Sequence, residues 1–151
     1  MEKNYEKQER YIRLKSKLNK AIKSEFWFEA CMIEYAIIED RTSSILHYGK
    51  ICTNAYEENK KLANKLNSIE YQIGKGHPVI SKKVSSETIS KIRLWKDRRN
   101  DLVHRACILF SDELAKDVAL EGLQLVKAIS NDSKKVTRQI LKFEEEHNGT
   151  I

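Results

Sequence analysis

Apolar residues recur every three or four positions along most of this chain, the spacing of one face of an α-helix. Tyr11, Leu14, Leu18 and Ile22 set that period over residues 4–23. From Phe26 to about Tyr48 the apolar surface goes most of the way round. Phe26, Ala30, Ile33 and Ile37 make one stripe, and Trp27, Cys31, Ile38 and Ile45 make another. A helix apolar on two sides is central in a bundle or lies in a subunit interface. Ser24 suits its N-cap, with Glu25 in the first turn, and Gly49 suits the C′ position that ends it. A third helix is predicted from Ala55 to Ile73, on Leu62, Leu66, Ile69 and Ile73. A fourth runs from an N-cap at Ser86 to about Phe110. A fifth opens on Asp112 and Glu113 and buries Leu114, Val118, Leu123, Leu125, Val126 and Ile129. Asn131, Asp132 and Ser133 are expected to kink or end it before Val136, Ile140, Leu141 and Phe143 resume the pattern. Residues 144–151 read as a frayed tail. The expectation is an all-α, antiparallel bundle of four or five helices, one domain over residues 1–151.

Composition agrees with long elements, since 151 residues contain only 5 Gly and 1 Pro to punctuate them. The one clear break is Gly74-Lys75-Gly76-His77-Pro78, a basic surface loop continued by Lys82 and Lys83. No strand precedes these glycines and no GKS or GKT follows, so they do not form a phosphate-cradling loop. His77 and His47 stand alone. No His, Cys, Asp or Glu pair has metal-ligand spacing, and neither a metal nor a cofactor is expected. The formal charge of +6 biases the chain towards polyanionic partners. The basic face of the first helix, with Lys7, Arg10, Arg13, Lys17 and Lys20, is either a solvated surface or one that tracks a phosphate backbone. Cys31, Cys52 and Cys107 are odd in number, lack CxxC spacing and sit among apolar neighbours, as buried thiols in a reducing compartment do. The first residues alternate in charge without an apolar signal core, and Glu34, Glu39 and Asp40 interrupt the richest apolar run. No membrane span is expected, and the cytoplasm is the expected location.

The chemistry concentrates in Arg98-Arg99-Asn100-Asp101-Leu102-Val103-His104-Arg105. On a helix, at ~100° per residue, Ile92, Trp95, Leu102, Val103, Ala106 and Phe110 form one stripe with Arg99 in its middle. A cation there costs free energy unless it is paired or used. Asp40, on the inward side of the second helix beside Glu39 and Arg41, is the natural counter-charge for it. Asn100 and His104, four apart, share a neighbouring face.

The run Arg99-Asn100-Asp101-Leu102-Val103-His104 resembles the Arg-x4-to-6-His signature of the HEPN superfamily, in which a polar residue such as Asn follows the arginine. It sits late in a helical chain of the superfamily's length, on an apolar helix carrying Trp95. The segment from Glu34 to Arg41 is similar to the corresponding helix of stand-alone bacterial HEPN proteins. The resemblance implies a helical bundle forming a two-fold dimer. It also implies a metal-independent endoribonuclease of the toxin or phage-defence type, sometimes held by an antitoxin. Arg99, Asn100 and His104 would then be catalytic, supported by Glu39, Asp40, Arg41 and Asp101. Arg93, Lys96, Arg98, Arg105, Lys82 and Lys83 would meet RNA. RNA cleavage without a metal suits such a set, because the 2′-hydroxyl is a built-in nucleophile beside the phosphate. Histidine transfers protons near neutrality, and a forked guanidinium matches phosphorane oxygens. Arg99 and His104 diverge by ~140° on one helix, so a site combining two copies at a two-fold axis is expected. Two other readings stay open. Arg99 could be a structural cation paired with Asp40 or Glu39, with His104 on the surface. The chain could also be a non-catalytic adaptor that binds RNA or protein.

Overall fold

A computed structural model of the chain describes residues 4–50, 61–106, 108 and 111–148. They form six helices: α1 (Asn4–Lys23), α2 (Trp27–Tyr48), α3 (Leu62–Lys75), α4 (Ile80–Lys83), α5 (Ser86–Arg105) and α6 (Asp112–Asn148). No strand occurs among the described residues. The expected start of the third helix at Ala55 lies outside them, as do Cys52, Cys107 and Phe110.

The centre of the bundle is α2, as its two apolar stripes require. Ala30, Cys31, Ile37, Ile38 and Ile45 are fully buried. Each isoleucine contributes about 1.5–3 kcal/mol by leaving water. α2 packs on α1 and α3 and most extensively on α6. Cys31 reaches the Ala115 carbonyl, Glu34 meets Gly122, and Asp40 shares a cavity wall with Ser133. Rising numbers therefore meet rising numbers, and α2 and α6 run parallel. The expected antiparallel arrangement holds for their neighbours. Ser85 meets Asp132 while Trp95 meets Val118, so α5 runs against α6.

The helix ends depart from expectation for a shared reason. Ser24 does not cap α2. It closes α1, where the Glu25 N–H donates to the Ile22 carbonyl (3.1 Å) and the Phe26 N–H to the Ala21 carbonyl (2.8 Å). This is a Schellman turn, with Glu25 in the left-handed conformation at φ 58°. α3 ends in the same way, with Gly76 at φ 79° in the position Glu25 occupies. Gly49 is not the left-handed residue ending α2. It keeps helical angles and Lys50 turns instead, at φ 60°. Gly49 is small because a Cβ there would lie 2.7 Å from Ile80 Cδ1, on the short helix α4. His77 fixes that connection. Its Nδ1 accepts from the N–H groups of Val79 and Ile80 (both 3.1 Å), leaving Nε2 to donate to the Gly49 carbonyl (3.0 Å).

α5 is capped by Ser85, one residue before the expected cap, whose Oγ accepts from the Thr88 N–H (3.3 Å). It stops at Arg105 rather than Phe110. α6 does not end at Asn131-Asp132-Ser133 but runs on to Asn148. The Asp132 carboxylate accepts from the Ser85 N–H (3.2 Å), Ser130 Oγ accepts from the Tyr11 hydroxyl (3.0 Å), and Ser133 is buried. Asn131 is exposed, and the helix continues through all three residues. The expected frayed tail is helical through Asn148, with every residue from Leu141 exposed.

The two Schellman turns give a paired test. Glu25→Gly should stabilise the protein and Gly76→Ala destabilise it, each by about 1 kcal/mol, since a Cβ in the left-handed region costs about that much. Urea unfolding measures both, and equal midpoints for all three proteins would contradict the assigned geometry.

Candidate functional site

Arg99 leaves α5 half-buried and crosses to α2. Its guanidinium carbon stands 4.2 Å from the centre of the Tyr35 ring, a cation–π contact. Nη2 points to Met32 Sδ at 3.0 Å, and Nη1 donates to Asn100 Oδ1 at 3.0 Å. Arg99 and Asn100 are thus brought together. His104, one turn on, is exposed near the end of α5 and makes no hydrogen bond or ion pair with any described residue.

Asp40 is not the counter-charge of Arg99. Its carboxylate takes Arg41 at 2.6 and 3.1 Å and Arg10 of α1 at 3.3 Å. Tyr35, which Arg99 covers, and Asp40 are five residues apart, so they point ~140° from each other on α2. Glu39, four residues after Tyr35, is on the correct side, and its charge helps burial raise the tyrosine hydroxyl's pKa while Arg99 and Lys96 oppose it. Arg41 is drawn away too, over the Tyr11 ring at 4.3 Å.

Most of the expected RNA-facing cations already have carboxylate partners. Arg93 binds Glu70 (2.8 and 2.9 Å), and that hydrogen bond holds the Glu70 carboxyl below its ordinary range. Arg98 pairs with Glu121, Lys96 with Asp97 and Arg105 with Asp101. The Arg98 and Arg105 pairs are the more exposed and yield to a competing phosphate at little cost, whereas the Arg93 and Lys96 side chains are only 29% and 15% exposed. Lys82 and Lys83 lie on α4, at the far end of α5 from the motif, and are not brought to it.

Behind Arg99 lies a group that helical periodicity does not single out. Glu34 is fully buried where α2, α5 and α6 meet, against Gly122 and Trp95. Trp95 is itself held by its indole N–H, which donates to the Val118 carbonyl at 2.9 Å. A Cβ on Gly122 would lie 2.8 Å from both Glu34 Cδ and Trp95 Cζ2, so the absence of a side chain there makes room for the carboxyl. Among the described residues, the buried side-chain nitrogen and oxygen atoms lacking a hydrogen-bond partner are Glu34 Oε1 and Oε2 and Arg99 Nε. Burial pushes the Glu34 carboxyl up from 4.5 to about 9, so it is a neutral acid at pH 7. Burial likewise pushes the Cys31 thiol up to about 12; the Glu34 charge adds to this and Arg99 opposes it. The available signal was an acidic residue inside the richest apolar run, matched by a glycine inside an apolar helix.

Among the described residues, no three His, Cys, Asp or Glu side chains gather as metal ligands would, and no helix is long and apolar enough to cross a membrane. Comparison with family models, with curated proteins and with solved structures finds no match to this chain.

Glu34 makes stability depend on pH. Its proton is held more tightly in the folded state than in the unfolded one, so its own contribution to stability is full below about pH 4.5 and is lost as pH rises towards about 9. Glu34→Gln, which cannot ionise, should remove that part of the slope and be more stable than wild type at pH 8.5, with the gap closing at pH 5. Urea midpoints at the two pH values measure this, and parallel profiles would show that Glu34 is ionised in the fold. Gly122→Ala should cost about 1–3 kcal/mol by overpacking the same junction.

Proposed function

We propose that this chain is a metal-independent endoribonuclease that cleaves RNA through its own 2′-hydroxyl. Arg99 and His104 are its catalytic residues, and two copies of α5 complete one site. The observation that carries this reading is the setting of Arg99. The guanidinium is stacked on Tyr35 and fixed to Asn100, with its forked end towards the surface five residues before an exposed histidine. A cation so placed is pre-positioned for an oxyanion at little reorganisation cost. His104 has no orienting partner among the described residues, and it diverges from Arg99 on the helix. A second copy across a two-fold axis supplies both the missing partner and a second imidazole.

In this mechanism one imidazole takes the 2′-hydroxyl proton as O2′ forms its bond to phosphorus. Arg99 stabilises the equatorial oxygens of the phosphorane. The bond to O5′ then breaks and the second imidazole, as imidazolium, protonates that oxygen. The products are a 2′,3′-cyclic phosphate and a 5′-hydroxyl. Asn100 holds the Nη1 edge of Arg99 and so sets how the fork faces the phosphate. The resemblance of the Arg99–His104 run to the HEPN signature adds the biological setting, a toxin or phage-defence protein with a neutralising partner. A second reading, a helical adaptor without catalysis, is favoured by the exposure of His104 without an orienting partner among the described residues.

His104→Ala and Arg99→Ala should each lower the cleavage rate by at least about 10²-fold. The helical circular dichroism and the melt should change little for His104→Ala. Cleavage should survive EDTA, leave cyclic phosphate ends, and fail on RNA with a 2′-deoxy scissile nucleotide. Binding without cleavage by the wild type would establish the adaptor reading, and a strict Mg²⁺ requirement would rule out the mechanism.

A further inference from the structure

The groups that seat Arg99 are neutral: the Tyr35 ring beneath it, Asn100 Oδ1 at Nη1, and Met32 Sδ at Nη2 (3.0 Å). Nε is buried without a hydrogen-bond partner, so the ring and the two Nη contacts decide which way the fork faces. The thioether is the weakest acceptor of the set. It is also the most changeable, because a soft sulfur is open to oxidation.

Met32 is placed for that chemistry. It is 43% exposed, although Cys31 before it and Glu34 just after it are fully buried. The chain has two methionines, so apart from Met1 this is the one thioether it carries. The neighbouring Cys31 thiol is pushed up to about 12 by burial, stays protonated and is a poor nucleophile. Oxidation at this surface is therefore directed to Met32 Sδ.

We propose that Met32 is a site of reversible oxidation whose sulfoxide captures Arg99. With hydrogen peroxide as oxidant, a sulfur lone pair attacks one peroxide oxygen and the O–O bond breaks. The displaced hydroxide takes the proton from the transferred oxygen and leaves as water. Sulfur loses two electrons and the peroxide gains them. The oxygen left on sulfur is a strong acceptor beside Nη2, and its bond to a guanidinium is charge-assisted. The consequence for activity rests on the reading of Arg99 as the cation that meets the phosphate. On that reading oxidation lowers cleavage, because an N–H held by the sulfoxide is withdrawn from the phosphorane. Reduction of the sulfoxide restores it.

The full chain is treated with dilute hydrogen peroxide and followed by peptide mass spectrometry and by NMR of the Arg99 guanidinium nitrogens. Met32 should gain one oxygen at a rate comparable to that of free methionine. The Arg99 resonances should shift with it and return on treatment with methionine sulfoxide reductases for both epimers. They should not move when Met32→Leu is treated with peroxide. RNA cleavage by the wild type should fall about tenfold on oxidation, the usual weight of one charge-assisted contact. Relative to its own untreated rate, Met32→Leu should lose nothing. A chain that cleaves no RNA still gives the NMR result, so failure of the nuclease reading and failure of this proposal are told apart. Resistance of Met32 to peroxide overturns the proposal. So does oxidation that leaves the Arg99 resonances in place, a shift that dithiothreitol alone reverses, or an equal loss of cleavage in Met32→Leu.

Discussion

Everything near the candidate site depends on the close approach of α2, α5 and α6 at Glu34, Trp95 and Gly122. A glycine lets α6 come near enough for a carboxyl to be enclosed, and the tryptophan, tethered to the Val118 carbonyl, covers it. That junction sets the separation of α5 from α2, and hence the reach of Arg99 to Tyr35. Burying an unpaired polar group costs folding free energy. Here the carboxyl meets part of that cost by keeping its proton, so the centre of the protein holds a neutral acid beside an aromatic-stacked cation.

Much of the architecture was legible in the sequence, because a helix buried on one side writes its period into the chain. α1 matches its predicted span, α2 is central, and α5 carries the motif. The ends were harder to read, for local reasons. Ser24 and Glu25 look like the beginning of a helix, yet the chain uses them to end one, with a non-glycine residue in the left-handed position. Asn131-Asp132-Ser133 looks like a break because such side chains compete for the backbone. In the fold Asp132 accepts from the N-cap residue of α5 and Ser133 is buried in the core, a tertiary fact that a local pattern cannot hold. The parallel course of α2 and α6 also lies beyond periodicity, which gives faces but no directions.

The site was legible in part. A cation inside an apolar stripe marked Arg99 as an anomaly, but its contact with the adjacent Asn100 was not legible, because neighbouring residues on a helix do not face each other. Its partner across the bundle was not readable. Asp40 carries the right charge but faces α1, and Tyr35, a ring rather than a carboxylate, receives the guanidinium. Glu34 was visible only as an interruption of an apolar run. Its significance depends on which residue faces it, and Gly122 lies 88 positions further along the chain.

The unbroken course of α6 has a mechanical consequence. Its first half supplies Val118 and Gly122 to the junction behind Arg99, and its second half supplies Ser133, Lys134 and Arg138 to the cavity wall shared with Asp40. The two regions are separated by about 18 Å of continuous helix at ~1.5 Å per residue. A displacement imposed at one end is carried to the other as translation or rotation of a single rod.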